Sequence, residues 1–223
     1  MGMDLLAIET ASSVCGIALF LEGEFEGMVE SELGREHAEK LPLFYEELRD
    51  RHEFSLPTLT GIAVSIGPGS FTGLRIGLSY GKGLAYSAGI PLVPVPTLTA
   101  MAMGTGKKEG KLRCLLHSHK NVVYSQDFLI SDGYPIEQKN PKSGTWEKAL
   151  QTLPRDISIC QYGCDHLLQA ESGLEMNHAA PSARCVGELS LLDFEKLKVE
   201  NFYEVAPNYI SPFKVRAAGS SDR

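Results

Sequence analysis

Long apolar runs are missing from this 223-residue chain. None approaches the roughly 20 residues that a membrane-crossing helix needs. The start Met1-Gly2-Met3-Asp4 lacks the basic stretch of a secretion signal, and Leu6 stands where a myristoylation signal wants Ser or Thr. A cytoplasmic protein without membrane contact is expected. Cysteine is sparse and unpatterned: Cys15, Cys114, Cys160, Cys164 and Cys185 are odd in number, and Cys160 and Cys164 are four apart rather than three. That spacing signals neither a disulfide framework nor a CxxC zinc site, so reduced, buried thiols are expected. Positive charge is also short. Lys and Arg number 21 against 28 Asp and Glu, a net charge of −7 that opposes phosphate backbones. Any RNA contact is therefore expected to be shared with a partner or confined to a local basic patch.

Signatures of catalysis are missing as well. No serine sits in a GxSxG elbow. His117 and His119 are the one close histidine pair, on one face if their segment is a strand, but without a nearby third ligand. No metal site and no catalytic residue are predicted.

What is present is an ordinary globular balance, 43% hydrophobic and 22% charged, in a chain long enough for one large domain or two small lobes. Leu5 to Thr10 and Val14 to Leu21 are apolar runs that read as adjacent strands, with Glu22-Gly23-Glu24 as a turn and Phe25 to Leu33 as a third, half-exposed strand. Arg35 to Arg51 lacks glycine and spaces Leu41, Phe44, Tyr45 and Leu48 as an amphipathic helix, which Pro42 is expected to bend around Lys40 to Leu43. Gly61 to Ile66 reads as a strand, and the segment to Gly89 as a long helix. Pro91 to Val95 reads as a buried strand, and Thr97 to Met103 as a short helix capped by its threonine.

The Gly, Lys and Thr composition of Gly104 to Lys111 marks a hinge, dividing the chain into lobes 1–107 and 108–223. Beyond it, Leu112 to Leu116 and Val122 to Ile130 restart the strand pattern. A helix from Trp146 to Leu153 capped by Thr145, a strand from Ile157 to Tyr162 and a helix from Ala183 to Leu192 follow, with a frayed tail from about 216.

Between strand and helix lies Gly67-Pro68-Gly69-Ser70-Phe71-Thr72-Gly73, where backbone N–H groups could approach an anion. The dinucleotide pattern GxGxxG fails because Thr72 takes its last glycine, and no Gly-Lys-Ser/Thr completes a Walker loop. The candidate nucleotide-facing residues are Glu9, Thr10, Gly67, Gly69 and Ser70; the alternative is capping and turn chemistry. Gly73, Gly77 and Gly81 recur every fourth residue, at a cost of about 1 kcal/mol each relative to alanine. A face without side chains lets another backbone come close, either within this chain or in a partner subunit. With Leu74 and Leu78 it forms the candidate partner interface.

The strings LLAIETASSVCGIALF, GREHAEKLPLF and GIAVSIGPGSFTGLRIGLSYGKGLAYSAGIPLVPVPTL resemble the TsaB (YeaZ) family, paralogues of the glycoprotease-like TsaD. The resemblance implies an α/β fold of the actin/Hsp70/sugar-kinase (ASKHA) superfamily, in which each lobe is a strand meander plus helices and the second is degenerate. It implies a non-catalytic partner of TsaD, the subunit that adds a threonylcarbamoyl group to N6 of the adenosine beside the anticodon in tRNA. TsaE is a further partner, and nucleotide or metal is expected on those subunits rather than on this chain. A homodimer is expected in isolation. The catalytic relative carries a His-x-x-x-His metal pair, and the matching positions here are Thr97 and Met101, which cannot replace two imidazoles. Glu-Thr-Ala stands where the family has Asp-Thr-Ser, and Leu116-His117-Ser118-His119 where it has Ile-Asp-Ala-Arg. Pro207-Asn208-Tyr209-Ile210 is loosely similar to the family's terminal Pro-x-Tyr-Leu. The competing expectation is an enzyme of the same superfamily, an ATP-dependent phosphotransferase or a peptidase, working in the cleft between lobes.

Overall fold

The computed structural model describes residues 2–170 and 176–210. The expected tail from 216 lies outside them. Strands β1 (Leu5–Glu9), β2 (Val14–Leu21) and β3 (Glu24–Glu32) form an antiparallel meander. Helix α1 (His37–His52), β4 (Gly61–Gly67), α2 (Phe71–Ala88), β5 (Leu92–Pro96) and α3 (Thr97–Met103) follow, with β4 and β5 parallel to β1. The sheet order is β3-β2-β1-β4-β5. β1 and nearly all of β2 are buried because helices cover both faces, so their sequences are continuous apolar runs. β3, at the edge, alternates between exposed and half-buried residues.

The second lobe repeats this plan. β6 (Gly110–His119), β7 (Val122–Ser131), β8 (Tyr134–Glu137), β9 (Lys142–Thr145), β10 (Ser158–Tyr162) and β11 (Met176–His178) form a sheet of order β11-β10-β6-β7-β8, with β9 paired to β7. Only short helical pieces intervene: α4 (Trp146–Gln151), capped as expected by Thr145, and a 3-10 turn at Asp165–Ala170. α5 (Ala183–Leu192) and α6 (Phe194–Leu197) complete the regular helices among the described residues. The α/β class and the two-lobed, meander-plus-helices plan are those the resemblance implies.

The lobes exchange helices, so the boundary at 107/108 does not separate two cores. α5 lies against the first sheet, where Ala183, Val186 and Leu189 pack with Leu5, Ala7, Phe20 and Val93. α3 sends Leu98, Met101 and Ala102 into the second sheet's core beside Leu112, Cys114 and Phe128. The chain then returns further to the first sheet: Val199 and Leu92 exchange backbone hydrogen bonds, and the Asn208 N–H donates to the Ile66 carbonyl at 2.7 Å. Residues 107/108 fall between the two sheets, whose strands span 5–96 and 110–178, while the crossing of α3, α5 and the later chain is a long-range feature that leaves no local mark in composition.

α1 is continuous through Pro42, from His37 to His52. Two local expectations need correction. Thr97 does not cap α3. Pro96 occupies the cap, and the Thr97 hydroxyl accepts the Gly67 N–H at 3.0 Å. The glycine face of α2 points inward. A Cβ on Gly73 or Gly77 would come closer than 3.0 Å to Thr10, and one on Gly81 equally close to Val64. Leu74 and Leu78 are buried too. What comes close is this chain's own Thr10, through its carbonyl at Gly73 and its side chain at Gly77, and the Val64 side chain of β4 at Gly81, so the expected partner-interface residues Gly73, Leu74, Gly77, Leu78 and Gly81 are instead packed within the chain.

Candidate functional site: the cleft between the lobes

α2 starts where Ser70 leaves the β4 turn. Its hydroxyl accepts the Gly73 N–H at 3.2 Å, and its own N–H donates to the Ala11 carbonyl at 2.6 Å. Gly69 is required here, since a Cβ would strike the Ala11 backbone. The two turns, Ala11 to Ser13 and Gly69 to Gly73, thus form one wall of a cleft of ≈ 1410 Å³. The other wall comes from the second lobe: Leu116 to His119, Ser143 to Thr145, Lys148, Tyr162 and Gly163. Tyr162 ties the walls together, its hydroxyl donating to Glu32 Oε1 at 2.7 Å and lying 2.8 Å from Ser13 Oγ. Burial pushes this phenol up to about 12, which keeps it a donor.

Of the nucleotide-facing candidates, Gly69 and Ser70 line this cleft. Gly67 lines a smaller neighbouring pocket with Asn208 and Glu137. Glu9 and Thr10 do not face the cleft. Both are fully buried, Glu9 accepting the Ala11 N–H with one carboxylate oxygen while the other has no partner among the described residues. Burial pushes the Glu9 carboxyl up to about 7, with a smaller upward push from Glu30. Burial also raises Glu30, although it accepts the Ala183 N–H at the start of α5. Glu9 therefore sits between sheet and helix, outside the cleft lining, and its contact with the Ala11 N–H is a local turn contact.

His117 and His119 both line the cleft, with a β-bulge between them. His117 Nε2 lies 3.0 Å from the Lys120 carbonyl, and the His166 ring meets His117 edge to face at 4.6 Å. Among the described residues no group of three or more His, Cys, Asp or Glu is placed to hold a metal. Thr97 and Met101 are buried, one bonded to Gly67 and the other packed in the second sheet's core. Sequence reasoning missed Arg35, Lys148 and Tyr162 as cleft residues. Arg35 stood inside a quoted motif, and Asn208 and Tyr209, also lining the cleft, belonged to the Pro-x-Tyr-Leu-like segment. Lys148 and Tyr162 carry no local signal.

A family model described as TsaD, tRNA N6-adenosine threonylcarbamoyltransferase, matches residues 20–132, half of the chain. The tRNA threonylcarbamoyladenosine biosynthesis protein TsaB of Escherichia coli (strain K12) is 33% identical over 144 residues, covering 65% of this chain and 58% of that protein. The protein of the same name from Bacillus subtilis (strain 168) is 28% identical over 159 residues, 70% of this chain and 69% of that one. The alignments thus span little more than half the length of some curated relatives, 52% for the TsaB of Haemophilus influenzae (strain ATCC 51907 / DSM 11121 / KW20 / Rd). Among solved structures, YeaZ from Pseudomonas aeruginosa superposes with a TM-score of 0.81 at 22% identity, covering 93% of this chain and 99% of that one, a likeness of fold. No helix among the described residues is long and apolar enough to cross a membrane.

Proposed function

The chain belongs to the TsaD family, on its TsaB (YeaZ) branch, and from that premise we propose that it is a non-catalytic subunit of the tRNA threonylcarbamoyladenosine machinery. In this reading it binds TsaD in the cytoplasm and supports transfer of the threonylcarbamoyl group to tRNA, with TsaE as a further partner. The observation that carries the reading is the fate of Thr97 and Met101. At the positions of the relatives' metal pair, a hydroxyl is spent on the Gly67 N–H and a thioether is buried in the core, so neither is free for a metal. A phosphotransferase would also need carboxylates to position magnesium and phosphate. No Asp or Glu lines the cleft, and Glu9 faces away from it.

With the glycine face turned inward, the contact surface falls to the outer side of α1 and α2. Leu43 on α1 is 53% exposed, and Tyr86 on α2 is 68% exposed. Tyr203, 70% exposed, meets Tyr86 edge to face at 6.4 Å, and its carbonyl accepts from Lys82 at 3.0 Å. Aromatic groups of this kind anchor specific interfaces, which bury on the order of 1,600 Å² in total. The same surface would pair two copies in the absence of TsaD.

Reconstitution tests the reading. This chain, with TsaD and TsaE of its own organism, threonylcarbamoyl-adenylate, ATP and unmodified tRNA, is expected to yield modified adenosine by mass spectrometry. Product should fall strongly when the chain is omitted and persist with Thr97→Ser. Equal product without the chain would overturn the proposal.

A further inference from the structure

The cleft is lined by Arg35, Lys148 and three histidines, and by no carboxylate, in a chain whose acids outnumber its bases by 28 to 21. Neither Arg35 nor Lys148 is in an ion pair among the described residues. Of the neighbouring acids, Glu32 accepts from Tyr162 and Glu147 bonds to Thr145, while the exposed Glu36, between Arg35 and His37 in sequence, is not part of the lining. The exposed cations therefore stand opposite each other, one per lobe, with no acid of the lining to neutralise them. Hydroxyls add to this. Ser70 accepts from Gly73, which leaves its own proton to donate.

Size and metal chemistry narrow the ligand. An open cleft of ≈ 1410 Å³ exceeds the roughly 300–1,000 Å³ of small-molecule sites. A nucleoside polyphosphate is bound with magnesium held by carboxylates, which this lining lacks. A strand of phosphodiesters carries one charge per phosphate and needs no divalent ion. One aromatic ring completes the pattern: Tyr124 and Tyr162 line the cleft but are buried, whereas Tyr209, 40% exposed, packs on Phe71 with centroids 4.8 Å apart. Cations tracking a backbone beside a stacking ring are the features by which proteins hold single strands.

We propose that the cleft between the lobes seats a segment of single-stranded RNA, with Arg35 and Lys148 on its phosphates and Tyr209 against a base. That the strand is part of a tRNA rests on the function proposed above; the charge pattern does not.

The test is fluorescence anisotropy with a labelled oligouridylate of about ten nucleotides, a length within the reach of one such groove. It is run on the full chain alone and on its complex with TsaD. For two phosphate contacts a tenfold rise in salt should weaken binding by about 25-fold. Arg35→Glu with Lys148→Glu should weaken it at least tenfold and flatten the salt dependence, and Tyr209→Ala should cost roughly tenfold. Arg35 and Lys148 are exposed, so the double variant is expected to fold. Equal affinity of wild type and double variant overturns the proposal, as does no binding by the wild type or displacement of the RNA by magnesium-ATP. Size-exclusion chromatography with light scattering on the same variant with TsaD separates the two readings. An intact heterodimer with unchanged RNA affinity sinks the cleft proposal alone, whereas a wild type that forms no heterodimer sinks the function and leaves the RNA comparison on the isolated chain to decide this one.

Discussion

The two lobes carry one sheet drawn twice and covered differently. β6, β7 and β8 repeat the antiparallel meander of β1, β2 and β3, and β10 and β11 repeat the parallel additions β4 and β5. Between corresponding strands the first lobe inserts helices of 16 and 18 residues. The second inserts a helix of 6 and a 3-10 turn of 6. Beside its shorter helices the second sheet carries a polar device. Arg113 on β6 faces Asp127 on β7, where the first lobe pairs Leu6 with Leu19. The Arg113 guanidinium makes a bidentate pair with Asp127 at 2.5 and 2.8 Å and bonds the Ala149 carbonyl and the Thr152 hydroxyl at the end of α4. One lobe is sealed by hydrocarbon on the face of its long helices, and the other is pinned by charge where α4 meets its sheet.

That contrast can be broken at its strongest point through Gly77. In Gly77→Leu the added carbons collide with Thr10, and the first lobe should lose about 4 kcal/mol or more, read by urea denaturation of the isolated chain. A folded variant of unchanged stability would return the glycine face to the surface. Next in size is Arg113→Ala, which strands a nearly buried Asp127 and should cost about 3–5 kcal/mol. Arg113→Met with Asp127→Leu should recover most of it, converting the second lobe to the first lobe's chemistry.

Glu9 sharpens the comparison through pH: β1 ends on this fully buried acid, whereas β6 ends on His117, Ser118 and His119. Its carboxyl is raised in the folded state from an ordinary 4.5 to about 7. The folded chain thus holds a proton that the unfolded chain releases. Stability from this group is full below pH 4.5 and falls as pH rises towards 7, by about 3 kcal/mol. Glu9→Gln should flatten that slope in denaturation curves taken between pH 5 and 7. The smallest effects belong to the caps. Ser70→Ala should cost about 1 kcal/mol at the head of the long α2, and Thr145→Ala less at the short α4, where the bond is 3.4 Å rather than 3.2 Å.

Much of the fold was legible where periodicity is local: the meander of β1 to β3, the long α2 and the late α5 each carry their own pattern. The glycine stripe announced a close approach, but a stripe cannot say what approaches, and here it is the chain's own Thr10 and Val64. The site was legible in part. Gly69 and Ser70 were readable as a tight turn before a helix, whereas Glu9 drew notice for its charge and turned out to be walled off. Lys148, just after β9, and Tyr162, at the end of β10, reach the cleft through the pairing of β9 with β7 and of β10 with β6, and no short window of sequence contains that information.

The exchange of α3 and α5 sets a timetable for synthesis. Leu5, Ala7, Phe20 and Val93 leave the ribosome well before Val186 and Leu189, the residues that cover them. At about 5–20 residues per second, that underside stays bare for on the order of ten seconds. A nascent chain stalled before Ala183 would hold a finished sheet with one greasy side open, so this interval, rather than any state of the finished molecule, is when it most needs a chaperone.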